Sequence, residues 1–200
     1  MTTAVESKPI HPVIVRVTHW LNAVAVTIMI LSGWQIYNAS PILPFSFPGW
    51  MTLGGWLGGA IQWHFAAMWL LMTNGLLYLS YGVASGRIAT RFFPIRPRQV
   101  IADLLEALKG KLAHEDIAHY NGVQKLFYVG VISALILVVL SGLAIWKPVQ
   151  LWWLSAAFGG FQGARLIHFL AMSVIAGFIL VHVVMALLVP KTIRAMIFGR

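Results

Sequence analysis

Four of the seven histidines, His19, His64, His168 and His182, fall inside long apolar stretches of the chain. Histidine is costly in a membrane-spanning helix and normally faces the bundle interior. One alone reads equally well as a packed hydrogen bonder between helices, so depth matters more than number. His168 and His182 are 182 − 168 = 14 residues apart. On a helix that is about 40° short of four turns, so both side chains leave one face, about 21 Å apart along the axis. His64 lies at the depth of His168, and His19 at that of His182. The pairs His64/His168 and His19/His182 can therefore form. Neutral imidazole is a good ligand for haem iron, and two of them fill both axial positions. The expectation is two b haems and electron transfer, with no open iron position for oxygen.

The neighbours of these histidines fit that chemistry without requiring it. Arg16 and Arg165 each stand three residues before a histidine, one helical turn nearer the membrane surface. Each reads as a partner for a haem propionate or as an ordinary interfacial arginine. Gly33, Gly75, Gly142 and Gly177 would admit a flat macrocycle close to the backbone, or serve small-residue helix packing. Met68, Met172 and the many Trp and Phe residues read as packing. His11, His114 and His119 lie outside the apolar segments and are expected to be solvated.

The elements that must carry these residues are legible from composition. Sixty per cent of the chain is hydrophobic and 10% charged, against about 25% charged in soluble domains. Cysteine is absent, which excludes disulfides, thiolate-ligated clusters and covalently attached haem. Four apolar segments, about 17–37, 61–82, 124–146 and 166–189, are each long enough to cross about 30 Å of hydrocarbon as a helix. Lipid offers no partner to backbone polar groups, so only helices are expected there. The fold class expected is an all-α integral membrane protein, one domain over 1–200, with a four-helix transmembrane bundle enclosing two b haems. Residues 1–11 lack the apolar core of a cleavable signal, so the first spanning helix is expected to act as its own targeting signal.

The net charge of +9 is a topology signal rather than a nucleic-acid footprint. Its residues sit in flanks and one loop, and no nucleic-acid motif accompanies them. Lys8, Arg16, Arg87, Arg91, Arg96, Arg98, Lys109, Lys111, Lys125, Lys191, Arg194 and Arg200 share one side of a four-crossing chain. Only Lys147 and Arg165 lie on the other. Positive-inside asymmetry then places both termini and the 83–123 loop in the cytoplasm. That assigns His64 and His168 to an outer haem, and His19 and His182 to an inner one. All five acids fall on the cytoplasmic side, so neither a carboxylate proton relay nor a histidine-lined ion transporter is expected. Within the loop, apolar residues at 100, 101, 104, 105 and 108 give residues 100–110 the face of an interfacial helix. The uncharged stretch 41–60, rich in Pro, Gly and Trp, reads as interfacial packing or as a docking surface. A short repeat links His64-Phe-Ala-Ala-Met68 with His168-Phe-Leu-Ala-Met172, and Ser32-Gly33 with Ser141-Gly142.

Arg16-Val-Thr-His19-Trp20-Leu-Asn22 resembles the opening of helix 1 in the bacterial cytochrome b561 superfamily. More closely, it is similar to the cytochrome b subunits of formate dehydrogenase, nickel–iron hydrogenase and thiosulfate reductase. Leu31-Ser-Gly33, the 14-residue histidine spacing and Tyr120-Asn-Gly-Val-Gln-Lys125 are further matches, and the likeness spans essentially the whole chain. The resemblance implies the same two haems and a quinone site on the cytoplasmic side. That site would lie at Asn121, with Gly122, Gln124 and Lys125 nearby. Amide groups can hydrogen-bond a quinone carbonyl, and Lys125 could stabilise a reduced anion. This chain departs from its relatives in placing Gly directly after Asn, and Asn121 reads equally as the N-cap of helix 3.

The function implied is electron transfer across a bacterial inner membrane. It would link the quinone pool to an extracytoplasmic subunit carrying molybdenum or a nickel–iron centre. The alternative is a stand-alone superoxide:quinone oxidoreductase, for which Arg165 and Lys147 would attract the anion.

Overall fold

The computed structural model describes residues 10–109 and 120–199. His114, His119, Lys8, Lys111, Arg200 and the acids Glu6, Glu115 and Asp116 lie outside them. Among the described residues every regular element is helical. Four long helices dominate: α1 (Val13–Ala39), α2 (Leu57–Ala84), α5 (Gly122–Trp146) and α7 (Gly160–Leu188). Between and after them come α3 (Arg87–Phe92), α4 (Pro97–Leu108), α6 (Trp152–Ala157) and α8 (Pro190–Phe198). The long helices begin two to six residues before the expected apolar windows, and α1 and α2 also end two residues after them. Three of them, α1, α5 and α7, are long and apolar enough to cross a membrane. Gln62, His64, Asn74 and several Gly, Trp and Tyr residues make α2 less hydropathic, although at 28 residues it has the same length class.

The helices run as two antiparallel hairpins. Asn74 of α2 donates to the Thr18 carbonyl and to Asn22 Oδ1 of α1, both at 2.7 Å. At the other end of the same pair, His64 meets Ser32. In the second hairpin Phe127 of α5 lies 6.2 Å from Phe178 of α7, while Ser141 meets His168. One apolar cluster joins all four helices: Ala25 and Val26, Leu71, Ala134 and Val138, Ala171 and Ile175. Three of its seven residues are alanine, letting backbones approach closely as in other membrane packings. Outside this core, large apolar side chains such as Leu76, Leu180 and Leu187 are more than half exposed. Helices of this length and surface suit a hydrocarbon solvent.

The hairpins have two distinguishable ends. The terminal end carries α3, α4 and α8, where the Ile10 N–H bonds the Gly199 carbonyl at 2.8 Å. The loop end carries residues 40–56 and α6. Gly159 and Gly160 take φ of 78° and 82° between α6 and α7, a left-handed turn that side-chain-bearing residues enter at a cost. On α4, Ile101, Leu104 and Leu105 are exposed on one face, while Asp103 accepts a bond from the Gly122 N–H at 2.6 Å. The side chain of Leu108 lies outside the description. His11 departs from the solvated expectation: it is buried between the start of α1 and the arginines of α3.

Candidate cofactor site

Each hairpin contributes imidazoles to two meeting points, one toward each end. At the loop end, His64 of α2 faces His168 of α7, with ring centres 6.4 Å apart and planes inclined at 61°. At the terminal end, His19 of α1 faces His182 of α7 at 5.9 Å and 64°. Two metal–imidazole bonds of about 2 Å, plus about 1 Å from each nitrogen to its ring centre, span about 6 Å. Both pairs therefore have the spacing of two ligands to one iron. Among the described residues no three His, Asp or Glu side chains gather as a metal cage. A Cβ built at Gly75 or Gly177 meets nothing within 4 Å, so no neighbouring side chain fills either position. The mixed apolar cluster of Ala25, Leu71, Ala134 and Ile175 occupies the depth between the pairs.

The loop-end pair is held by side chains to which the sequence offered no role beyond a repeat. Ser32 Oγ lies 3.0 Å from His64 Nδ1 and donates to the Ile28 carbonyl at 2.6 Å. Ser141 Oγ lies 3.2 Å from His168 Nδ1 and donates to the Leu137 carbonyl at 2.7 Å. The terminal-end pair is held by rings instead. Phe178 stacks on His182 at 5.6 Å, and Trp20 meets His19 edge-on at 5.3 Å. The internal repeat stops here. Subtracting 168 − 64 = 104 from 182 gives Tyr78, and adding 141 − 32 = 109 to 19 gives Tyr128. At this depth the second set of equivalent positions thus carries phenols, and Tyr128 packs on Tyr120 with ring centres 4.8 Å apart.

The two arginines serve as staples between elements. Arg16 Nη1 donates to the Ile197 carbonyl of α8 at 2.7 Å, and its buried Nε has no hydrogen-bond partner among the described residues. Arg165 ties the start of α7 to the end of α1 through the Ser40 carbonyl and Ser40 Oγ, with Gln162 Oε1 on its other nitrogen. With five N–H donors each, both retain capacity for an acidic group. The segment 121–125 is also engaged. Asn121 and Gln124 form a reciprocal capping box at the start of α5, with bonds of 2.8 and 3.1 Å. The Gly122 N–H is on Asp103, and Lys125 Nζ is 3.5 Å from the Pro94 carbonyl. Close by, burial raises the Tyr120 phenol above its ordinary value against the opposing pull of Arg91 and Arg87. Burial lowers His11, and Arg87, Arg91 and Arg16 lower it further.

Comparison with known proteins agrees with this architecture. The family model described as prokaryotic cytochrome b561 matches residues 10–199. The chain is 55% identical over 190 residues to the "Putative protein-methionine-sulfoxide reductase subunit YedZ1" of Azospira oryzae, covering 95% of this chain and 96% of that one. It is 25% identical over 201 residues to the cytochrome b556(Fdn) subunit of nitrate-inducible formate dehydrogenase from Escherichia coli, covering 92% and 80% respectively. A subunit of the same description from Shigella flexneri matches equally. The chain belongs to the prokaryotic cytochrome b561 family of membrane electron-transfer subunits, a family that binds b-type haem.

Proposed function

We propose that this cytochrome b561-family chain is the membrane subunit of an extracytoplasmic reductase for oxidised methionine in proteins, and that it draws electrons from membrane quinol. The observation that carries this reading is the pair of histidine pairs, one toward each end of the helices, at the spacing of bis-imidazole ligation. His64 and His168 would hold an outer haem b, and His19 and His182 an inner one. Haem b in such sites supplies a reversible one-electron carrier with no open iron position. The likeness to YedZ1, 55% identity over nearly the full length of both chains, supports the choice of partner. The likeness to a formate dehydrogenase subunit supports oxidoreductase partnership more generally.

The chain's own residues have defined tasks in this scheme. The basic residues of α3, α4 and α8 keep the terminal end in the cytoplasm. Remaining donors of Arg16 and Arg165 would pair with propionates. Quinol would be oxidised at the terminal end beside residues 120–125, losing two electrons and two protons. The outer partner would use two electrons and two protons to convert a sulfoxide to a thioether and water. Residues 41–56 and the tryptophans of α6 offer that partner a surface at the loop end.

The test is a purified chain reconstituted with quinol in lipid vesicles. The reading expects a dithionite-reducible b-type spectrum, reduction by quinol, and methionine-sulfoxide reduction only when a soluble reductase from the same cell is added. Absence of b haem would overturn it. Rapid quinone reduction driven by superoxide, with no partner present, would favour the stand-alone oxidoreductase instead.

A further inference from the structure

Ser32-Gly33 and Ser141-Gly142 occupy matching places in the two hairpins, each opposite the histidine of the neighbouring helix. Ser32 and Ser141 are completely buried. A serine hydroxyl has one proton, and here that proton lies on the carbonyl four residues back, at 2.6 Å for Ser32 and 2.7 Å for Ser141. Each Oγ is therefore left to accept, and the group it faces is an imidazole Nδ1. The Val138 carbonyl stands 2.9 Å from His168 Nδ1. A carbonyl can only accept, so this nitrogen carries the proton. With the Ser32 proton on the Ile28 carbonyl, His64 Nδ1 is the donor to Ser32 Oγ at 3.0 Å. Both rings are thus set as the Nδ1–H tautomer, with the Nε2 lone pair free.

The glycines complete the cradle. A Cβ at Gly142 would stand 3.1 Å from His168 Cε1, tighter than ordinary contact. One at Gly33 would stand 3.5 Å from His64 Cε1, within it. The ring of His168 therefore rests directly on the α5 backbone. Among the described residues no such hydroxyl bond is made to His19 or His182; Trp20 and Phe178 pack on them.

We propose that Ser32 and Ser141 are positioning residues that orient the outer imidazoles and raise their electron density, and so set the outer potential apart from the inner one. The proposal rests on the two-haem reading above. A hydrogen bond accepted from Nδ1–H makes the opposite nitrogen a stronger donor to metal and favours the oxidised iron, lowering its potential. The device acts at one end of the electron path only, because only the loop-end histidines have it.

The test is a potentiometric titration of the purified haem protein, followed optically, for Ser32→Ala, Ser141→Ala and the double variant. Alanine removes one oxygen and adds nothing, so folding should persist. A His168→Ala protein identifies the outer component by its absence. The expected result is an upward shift of the outer midpoint with the inner unchanged, larger in the double variant and reversed in Ser141→Thr. Loss of the outer haem alone from a folded Ser→Ala protein, with retention in Ser141→Thr, would also support the cradle. Two unchanged midpoints with an unchanged low-spin resonance spectrum would overturn it, as would equal shifts of both components. A parent protein without b haem would instead sink the reading beneath it.

Discussion

His64 and His168, carried by different hairpins, hold their imidazole rings 6.4 Å apart and steeply inclined, at 61°. Each Nδ1 faces a serine of a different neighbouring helix, Ser32 of α1 for His64 and Ser141 of α5 for His168. The pair at the other end shares α7 but draws its second member from α1. The two sites can therefore be emptied separately.

Replacing His168 or His64 with alanine should lower the haem-to-protein ratio from about two to about one, because an axial ligand is lost at one site only. Replacing His19 or His182 should do the same at the other site. A pyridine haemochrome assay on purified protein gives the ratio. Loss of both haems from each single variant, in protein that remains folded, would contradict independent sites.

Gly142→Ala and Gly33→Ala should differ in severity. The added methyl stands 3.1 Å from His168 in the first and 3.5 Å from His64 in the second. Interior contacts relax only partly, so the tighter one should cost about 1–3 kcal/mol and perturb the outer spectrum. Gly33→Ala should be close to neutral. Thermal unfolding in detergent and the reduced spectrum distinguish them, and equal effects would refute the geometry.

Asn121→Ala should cost about 1 kcal/mol of stability by removing the cap of α5, while Asn121→Asp should retain most of it. If Asn121 also touches quinone, the alanine variant should raise the apparent KM for quinol and the aspartate variant should not rescue it. A KM that follows stability in both variants would reduce Asn121 to a cap.

The burial of His11 has a pH signature. Its folded value lies below the ordinary 6.5, first through burial and then through Arg87, Arg91 and Arg16. On acidification the unfolded chain therefore takes up the proton first. Its contribution to stability is intact above pH 6.5 and declines as pH falls from there toward the folded value. His11→Gln should show a shallower loss between about pH 7 and about pH 5. Identical slopes in variant and parent would exclude the effect.

Much of the architecture is local and so was legible in the residues. Apolar length determines α1, α5 and α7, and the fixed pitch of a helix puts His168 and His182 on one face of α7 whatever surrounds them. The cap at Asn121 follows from side-chain chemistry within one turn. Depth along the helices suggested the histidine pairs, but the side chains that hold them depend on which helix lies against which, and no spacing along the sequence encodes that. Only the packed structure brings Ser32 onto His64 and Ser141 onto His168, turning a two-residue repeat into a hydrogen-bonded cradle. It likewise commits Arg16 and Arg165 to carbonyls of distant segments and buries His11 among arginines. The candidate ligand types follow from composition, with no cysteine and four histidines in apolar stretches. Their separation and the serines that face them were decided by the way two hairpins close on each other around a core of small and branched apolar residues.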